Sequence, residues 1–132
     1  QATALAQAVG ASPASCWRRI KLLESRGVLG KTVRLVDPEK VNKGITVICQ
    51  IKMKSHDHEA RTKFEEFINN STNAIECYSI SGEWDYLIIF ILENINEFHD
   101  FLMNNILQHK SVYNSSSHFA LKRVKYSTSI PV

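Results

Sequence analysis

Residues 45–54 read Ile-Thr-Val-Ile-Cys-Gln-Ile-Lys-Met-Lys and place Ile45, Val47, Cys49, Ile51 and Met53 on one side, a strict period of two. Only a β-strand with one buried face satisfies that alternation, so the chain must supply a sheet and something to cover it. The cover follows: Ala60, Phe64, Phe67 and Ile68 recur at helical spacing between His58 and Asn70, before Ser71-Thr-Asn73 breaks the pattern. A strand over 74–81 meets Gly82-Glu-Trp-Asp85 and resumes as Tyr86-Leu-Ile-Ile-Phe-Ile-Leu92, apolar on both sides and hence central in its sheet or covered by a partner. Ile95, Phe98, Phe101, Leu102 and Ile106 predict a second amphipathic helix, and a strand returns from Val112 to about Lys122. Strand, helix, strand, strand, helix, strand is the split βαβ order of ferredoxin-like folds, an α+β class in which two helices cover one face of a four-stranded antiparallel sheet. The other face is bare in a single copy. Burying it gains roughly 25 cal/mol per Å², so pairing of two copies through the sheet is expected.

Ahead of this domain the character of the chain changes. Residues 1–32 carry Arg18, Arg19, Lys21, Arg26 and Lys31 against Glu24 alone, whereas the remaining hundred are close to neutral. Such a surplus draws a polyanion by counterion release and steering. Thr3-Ala-Leu-Ala-Gln-Ala-Val9 is rich in helix formers and stops at Gly10. Ser12-Pro13 supplies an N-cap and a preorganised first turn for a helix running to about Arg26, where Gly27 ends it. Two short helices joined by a three-to-four-residue turn form a helix-turn-helix. Pro13, Cys16, Ile20, Leu23 and Gly27 fall in one packing stripe of the second helix. Its free, basic side nominates Ser12, Ala14, Ser15, Arg18 and Arg19 as the residues nearest double-stranded DNA, with Lys21 on phosphate. Trp17, at the shoulder of the stripe, reads as a partly buried anchor outside that site.

The segment Ala11-Ser-Pro-Ala-Ser-Cys-Trp-Arg-Arg-Ile-Lys-Leu-Leu-Glu-Ser-Arg-Gly-Val28 resembles the recognition-helix signature of the Lrp/AsnC, or feast/famine, regulators. Glu76-Cys-Tyr-Ser-Ile-Ser-Gly-Glu-Trp-Asp-Tyr-Leu87 resembles the strand-turn-strand of their effector domain, with its Gly-x-x-Asp-Tyr pattern. The resemblance implies a winged-type helix-turn-helix, whose usual further N-terminal helix this chain starts too late to contain. It also implies a connecting strand that pairs with its equivalent in a second subunit. A small effector, an amino acid, is expected between subunits near the 82–85 turn. Ser81, Gly82, Glu83, Trp84, Asp85 and Tyr86 are its expected residues, with His118, Phe119 and Ala120 from a facing final strand and extra hydroxyls from Ser115 to Ser117. Physically, open N–H groups of the Gly82 turn suit an α-carboxylate and Asp85 an α-ammonium, although an ordinary hairpin with Asp85 bonded to its own turn would read the same. His118 reads equally well as a plain surface residue.

These readings divide the chain into a helix-turn-helix module at 1–31, a connector strand and hinge at 32–44, and an effector-binding and oligomerisation domain at 45–132. The connector rests on the alternation of Thr32-Val-Arg-Leu-Val36 and the breaks at Asp37-Pro38 and Asn42-Lys-Gly44. The partners expected are DNA and a second copy, with dimers able to assemble further, as in an octamer. Cys16, Cys49 and Cys77 are odd in number and far apart, and each is read as a buried thiol on an apolar face. No cofactor is expected, and His56-Asp-His58-Glu59 reads as the polar flank of a helix rather than a metal site. With no apolar run long enough for a membrane and no signal peptide at 1–10, a cytoplasmic protein is the expectation. No phosphate loop, nucleophile elbow or carboxylate pair marks an enzyme. Sirohaem decarboxylases resemble the same two-module architecture, and an effector-binding partner with a non-functional DNA module is a third possibility.

Overall fold

A computed structural model describes residues 2–132, in two compact units, one up to Leu35 and the other Val36–Val132. The first contains α1 (Ala2–Val9) and α2 (Pro13–Ser25), packed on each other with Ala6 and Cys16 as their buried residues. Segment 30–37 has no regular structure, so the expected connector strand at 32–36 is absent from the single chain. A strand is defined by a hydrogen-bonded neighbour, and among the described residues no segment pairs with it.

The second unit opens with a 3₁₀ turn (Pro38–Val41) capped by Asp37, whose Oδ1 accepts from the Glu39 N–H at 3.1 Å. Then come β1 (Ile45–Met53), α3 (His58–Asn69), β2 (Ala74–Ser79), β3 (Tyr86–Leu92), α4 (Ile95–Phe101) and β4 (Val112–Phe119). The four strands form one antiparallel sheet in the order β2-β3-β1-β4, the ferredoxin-like arrangement that the element order predicts. The final turns of the second helix depart from expectation, because α4 widens into a π-helix over Leu102–Ile106 instead of continuing as an α-helix. Helices of 12 and 7 residues are too short to persist alone in water, so packing holds them.

That packing is one-sided. Val47, Cys49, Ile51 and Met53 of β1 and Tyr86, Ile88, Phe90 and Leu92 of β3 meet Phe64 and Ile68 of α3, Phe98 of α4 and Ile106. On the far side the alternate residues Ile48, Leu87, Ile89 and Ile91 remain partly or largely accessible, with Tyr78 beside them on the edge strand. Cys16 and Cys49 are buried, but Cys77 is an exposed residue. It sits on β2, an edge strand with a neighbour on one side only, so the sheet cannot enclose it. Its thiol lies in a shallow cavity with Glu65, Ser79 and Tyr86, and partial burial, then the charge of Glu65, pushes its pKa up to about 11.

Candidate functional site

The helix-turn-helix is fixed locally at both ends of α2. Ser12 takes an extended backbone and its Oγ accepts from the Ser15 N–H at 3.2 Å, satisfying one of the free donors of the first turn, while Pro13 has none to satisfy. At the other end the Gly27 N–H reaches the Glu24 carbonyl at 3.0 Å with φ +75°, a conformation that a side chain disfavours. Between them Cys16 is buried and Ser15 and Ile20 are half-buried, which turns Ser12, Ala14, Arg18, Arg19 and Lys21 outward. The Lys21 ammonium lies 3.6 Å from Glu24 and 5.8 Å from the Trp17 ring. An exposed ion pair of this kind is worth little, so Lys21 is free to exchange it for a phosphate. Trp17 itself corrects the sequence reading: it is 57% exposed, because it stands about 100° around the helix from the buried Cys16.

The second group surrounds the turn before β3. Gly82 adopts φ +102°, which lets the chain reverse there. The turn is tied to β1 rather than only to itself. The Asp85 N–H donates to the Ile51 carbonyl at 2.8 Å, the Met53 N–H donates to Asp85 Oδ2 at 2.7 Å, and His56 Nε2 donates to Asp85 Oδ1 at 2.9 Å. Lys52 Nζ donates to the Glu83 carbonyl. The Asp85 side chain is 19% exposed, and its partial burial works against ionisation. The Met53 N–H, His56 and Lys52 outweigh that and hold the carboxyl below its usual range. Both carboxylate oxygens are therefore engaged, and Asp85 acts as a clasp between the turn and the end of β1. The backbone N–H groups of 81–84 make no hydrogen bond to the described residues. Ser81, Gly82 and Glu83 are exposed, Trp84 and Asp85 half-buried, and Tyr86 is buried with its hydroxyl donating to Glu65 Oε2 at 2.5 Å.

His118, Phe119 and Ala120 are not brought to this turn within one chain. Phe119 pairs with Val47 and the Ala120 N–H donates to the Thr46 carbonyl at 2.9 Å, at the beginning of β1, whereas Asp85 joins its end. Between four (Val47 to Ile51) and seven (Thr46 to Met53) strand positions separate the two places, roughly 13–23 Å. His118 and Phe119 also face opposite ways. His118 pairs with Ile48 on the open face, while the Phe119 ring lies 5.9 Å edge-on to Phe98 under the helices. Ala120 borders a cleft of about 480 Å³ shared with Lys43, Thr46, Lys122 and Arg123. Ser115 and Ser117 follow the helix side, and the Ser117 hydroxyl reaches Cys49 Sγ at 3.5 Å.

His56 and Lys52 belong to the turn's surroundings and escape a reading of the sequence, since they lie some thirty residues before it and no local pattern marks them. In the stretch His56-Asp-His58-Glu59, His56 serves Asp85, Asp57 caps α3 by accepting from the Ala60 N–H at 2.8 Å, and Glu59 pairs with Lys63 at 2.8 Å. Among the described residues no group of three or more His, Cys, Asp or Glu side chains is placed to hold a metal, and no helix is long and apolar enough to cross a membrane.

Comparison with known proteins places both halves. The profile of the Lrp/AsnC ligand binding domain matches residues 46–130, and that of a winged helix-turn-helix DNA-binding module matches residues 2–29. The glutamate uptake regulatory protein of Zymomonas mobilis is 34% identical over 128 residues, 97% of this chain and 77% of that protein. The DNA-binding transcriptional activator DecR of Escherichia coli is 33% identical over 132 residues, 98% of this chain and 85% of its own. Among solved structures, a transcriptional regulator from Neisseria meningitidis in complex with L-Met superposes with a TM-score of 0.94 at 30% identity, covering 99% of this chain and 84% of that one. An AsnC family transcriptional regulator from Agrobacterium tumefaciens does so with a TM-score of 0.92 at 35% identity, covering 99% and 85%. With a capped, basic helix-turn-helix in front of a ferredoxin-like ligand-binding domain, this chain belongs to the Lrp/AsnC family of DNA-binding transcription regulators.

Proposed function

We propose that this regulator lays α2 in the major groove, with Ser12, Ala14, Ser15, Arg18 and Arg19 nearest the bases and Lys21 on phosphate, and answers to a free amino acid held at the turn before β3. The observation that carries the effector reading is the turn itself: four backbone N–H groups without partners, held open by the Asp85 clasp beside Lys52. Those donors and the Lys52 ammonium suit an α-carboxylate. The second lone pairs of the Asp85 oxygens remain for an α-ammonium, and Ser81, Gly82, Glu83, Trp84 and Tyr86 form the immediate surroundings. The complex of the Neisseria relative with L-Met supports an amino acid as the class of ligand.

His118, Phe119 and Ala120 of the same chain are too distant to complete this site, so a second copy supplies whatever faces it. Two copies meet through the open sheet face, where Ile48, Leu87, Ile89, Ile91 and Tyr78 would otherwise stay in water. Segment 32–36 pairs with its equivalent there, and dimers associate further. The protein acts by binding, without a catalytic step, and does so in the cytoplasm.

Thermal shift with each standard amino acid, followed by DNA retardation across a salt series, tests the reading. An effector at a hundredfold excess over its Kd stabilises by about 2.7 kcal/mol. Stabilisation by at least one amino acid that Asp85→Asn weakens, and retardation that falls steeply with salt, are expected. No shift with any amino acid, or a shift indifferent to Asp85→Asn, overturns the effector site. No retardation even at low salt overturns the DNA-contact residues.

A further inference from the structure

Trp17 stands on the surface of its unit as far as the described residues go. It is a large apolar side chain standing 57% exposed in the middle of α2, between Cys16, which packs, and Arg18, which does not. The Lys21 ammonium stands over it, 5.8 Å from the ring centroid. A cation over an indole at a wet surface is a weak contact, too little to justify leaving such a ring in solvent but enough to orient it. Around the helix, Trp17 lies between the packing stripe and the side that carries Ala14, Arg18 and Lys21, so it borders the basic surface rather than opposing it. The partner that this surface fits is a polyanion, because residues 1–32 hold five basic side chains against one acidic.

We infer that Trp17 is a direct DNA contact: its ring packs on an apolar surface of the duplex at the flank of the groove α2 enters, and Lys21 holds it there while itself reaching a phosphate. DNA offers two such surfaces beside the phosphates, the 5-methyl group of thymine and the C–H edge of deoxyribose. A contact to the methyl reads sequence; a contact to the sugar adds affinity only. The inference rests on α2 being the helix that meets DNA.

The test uses the full chain and a duplex selected by it from a random pool. Trp17→Ala is expected to weaken binding on the order of tenfold. The slope of log K against log salt should stay as in the parent, since no charge is removed. DNA should shield the indole from acrylamide quenching in the parent, and that change should be missing in Trp17→Phe, which retains Trp84 as its only tryptophan. Thymine-to-uracil replacement that weakens the parent but not Trp17→Ala identifies the methyl as the contact, whereas equal weakening of Trp17→Ala on all duplexes identifies the sugar. Unchanged affinity and unchanged quenching overturn the inference while leaving α2 as the DNA helix. A salt slope smaller by about one unit in Trp17→Ala also overturns it, because Trp17 then only positions Lys21. A parent protein that binds no duplex overturns the inference together with the role of α2.

Discussion

Replacing Asp85 should damage the larger unit through one hydrogen bond more than through its ion pair. The Met53 N–H to Asp85 Oδ2 bond is short, 2.7 Å, partly buried and charge-assisted, a type that contributes about 1.5–3 kcal/mol net. The His56 pair is longer, 2.9 Å, and the imidazole is 66% exposed, which limits it to about 0.5 kcal/mol. Asp85→Ala is therefore expected to cost about 2–3 kcal/mol, or about 10–20 °C in the melting temperature of a unit of this size. Asp85→Asn, which still offers an oxygen to the Met53 N–H, should cost about half as much, and His56→Ala less than about 1 kcal/mol. The carboxyl is held below its ordinary range, so its contribution is complete above the unfolded value of about 4 and disappears as pH falls through the folded value. The gap between parent and Asp85→Ala should thus narrow in acid. Urea unfolding at fixed protein concentration, followed by tryptophan fluorescence at pH 7 and at about pH 2.5, measures it. A loss under about 0.5 kcal/mol at pH 7, or a gap that is the same at both pH values, would refute the clasp.

Ser12→Ala removes the cap of α2 and should cost about 1 kcal/mol, seen as faster amide exchange over 14–16, and Ser12→Asp should restore protection; equal exchange in all three proteins contradicts the capping role. Ile89→Glu places a carboxylate in the middle of the open sheet face, so sedimentation should report loss of the dimer, and an unaltered sedimentation coefficient would exclude that face as the interface. His109 sits against Phe64 and Phe67 and its Nδ1 accepts from the Ser111 N–H at 3.2 Å, so burial, then Lys110, lowers its pKa. Stability from the neutral ring is full above about pH 6.5 and is lost as pH falls below it. NMR titration should find the His109 midpoint below the ordinary histidine value of about 6.5, and a midpoint at or above that value disproves the packing argument.

Features governed by neighbours in the chain were legible in the residues. Ser12-Pro13 and Gly27 bound α2 because caps act over three or four positions, and the alternation over 45–54 yields β1 because a one-residue slip would turn every apolar side chain to water. The order of six such segments was enough for the ferredoxin-like class. What depends on distant contacts was not legible. Cys77 lies outside the core because its strand is at the sheet edge, and α4 widens into a π-helix against a core contour that periodicity does not encode.

The same division runs through the sites. Composition and spacing alone determined that a basic helix-turn-helix precedes a sheet domain, and which turn is peculiar: Gly82 and Asp85 stand out as residue types. Only the fold decided what Asp85 does, because His56 and the Met53 N–H reach it across about thirty residues. Only the fold set Phe119 and Ala120 beside the beginning of β1 and the turn beside its end. Trp17 followed the same rule. Its spacing was compatible with burial, but burial requires a second surface, and the described residues leave the ring 57% exposed.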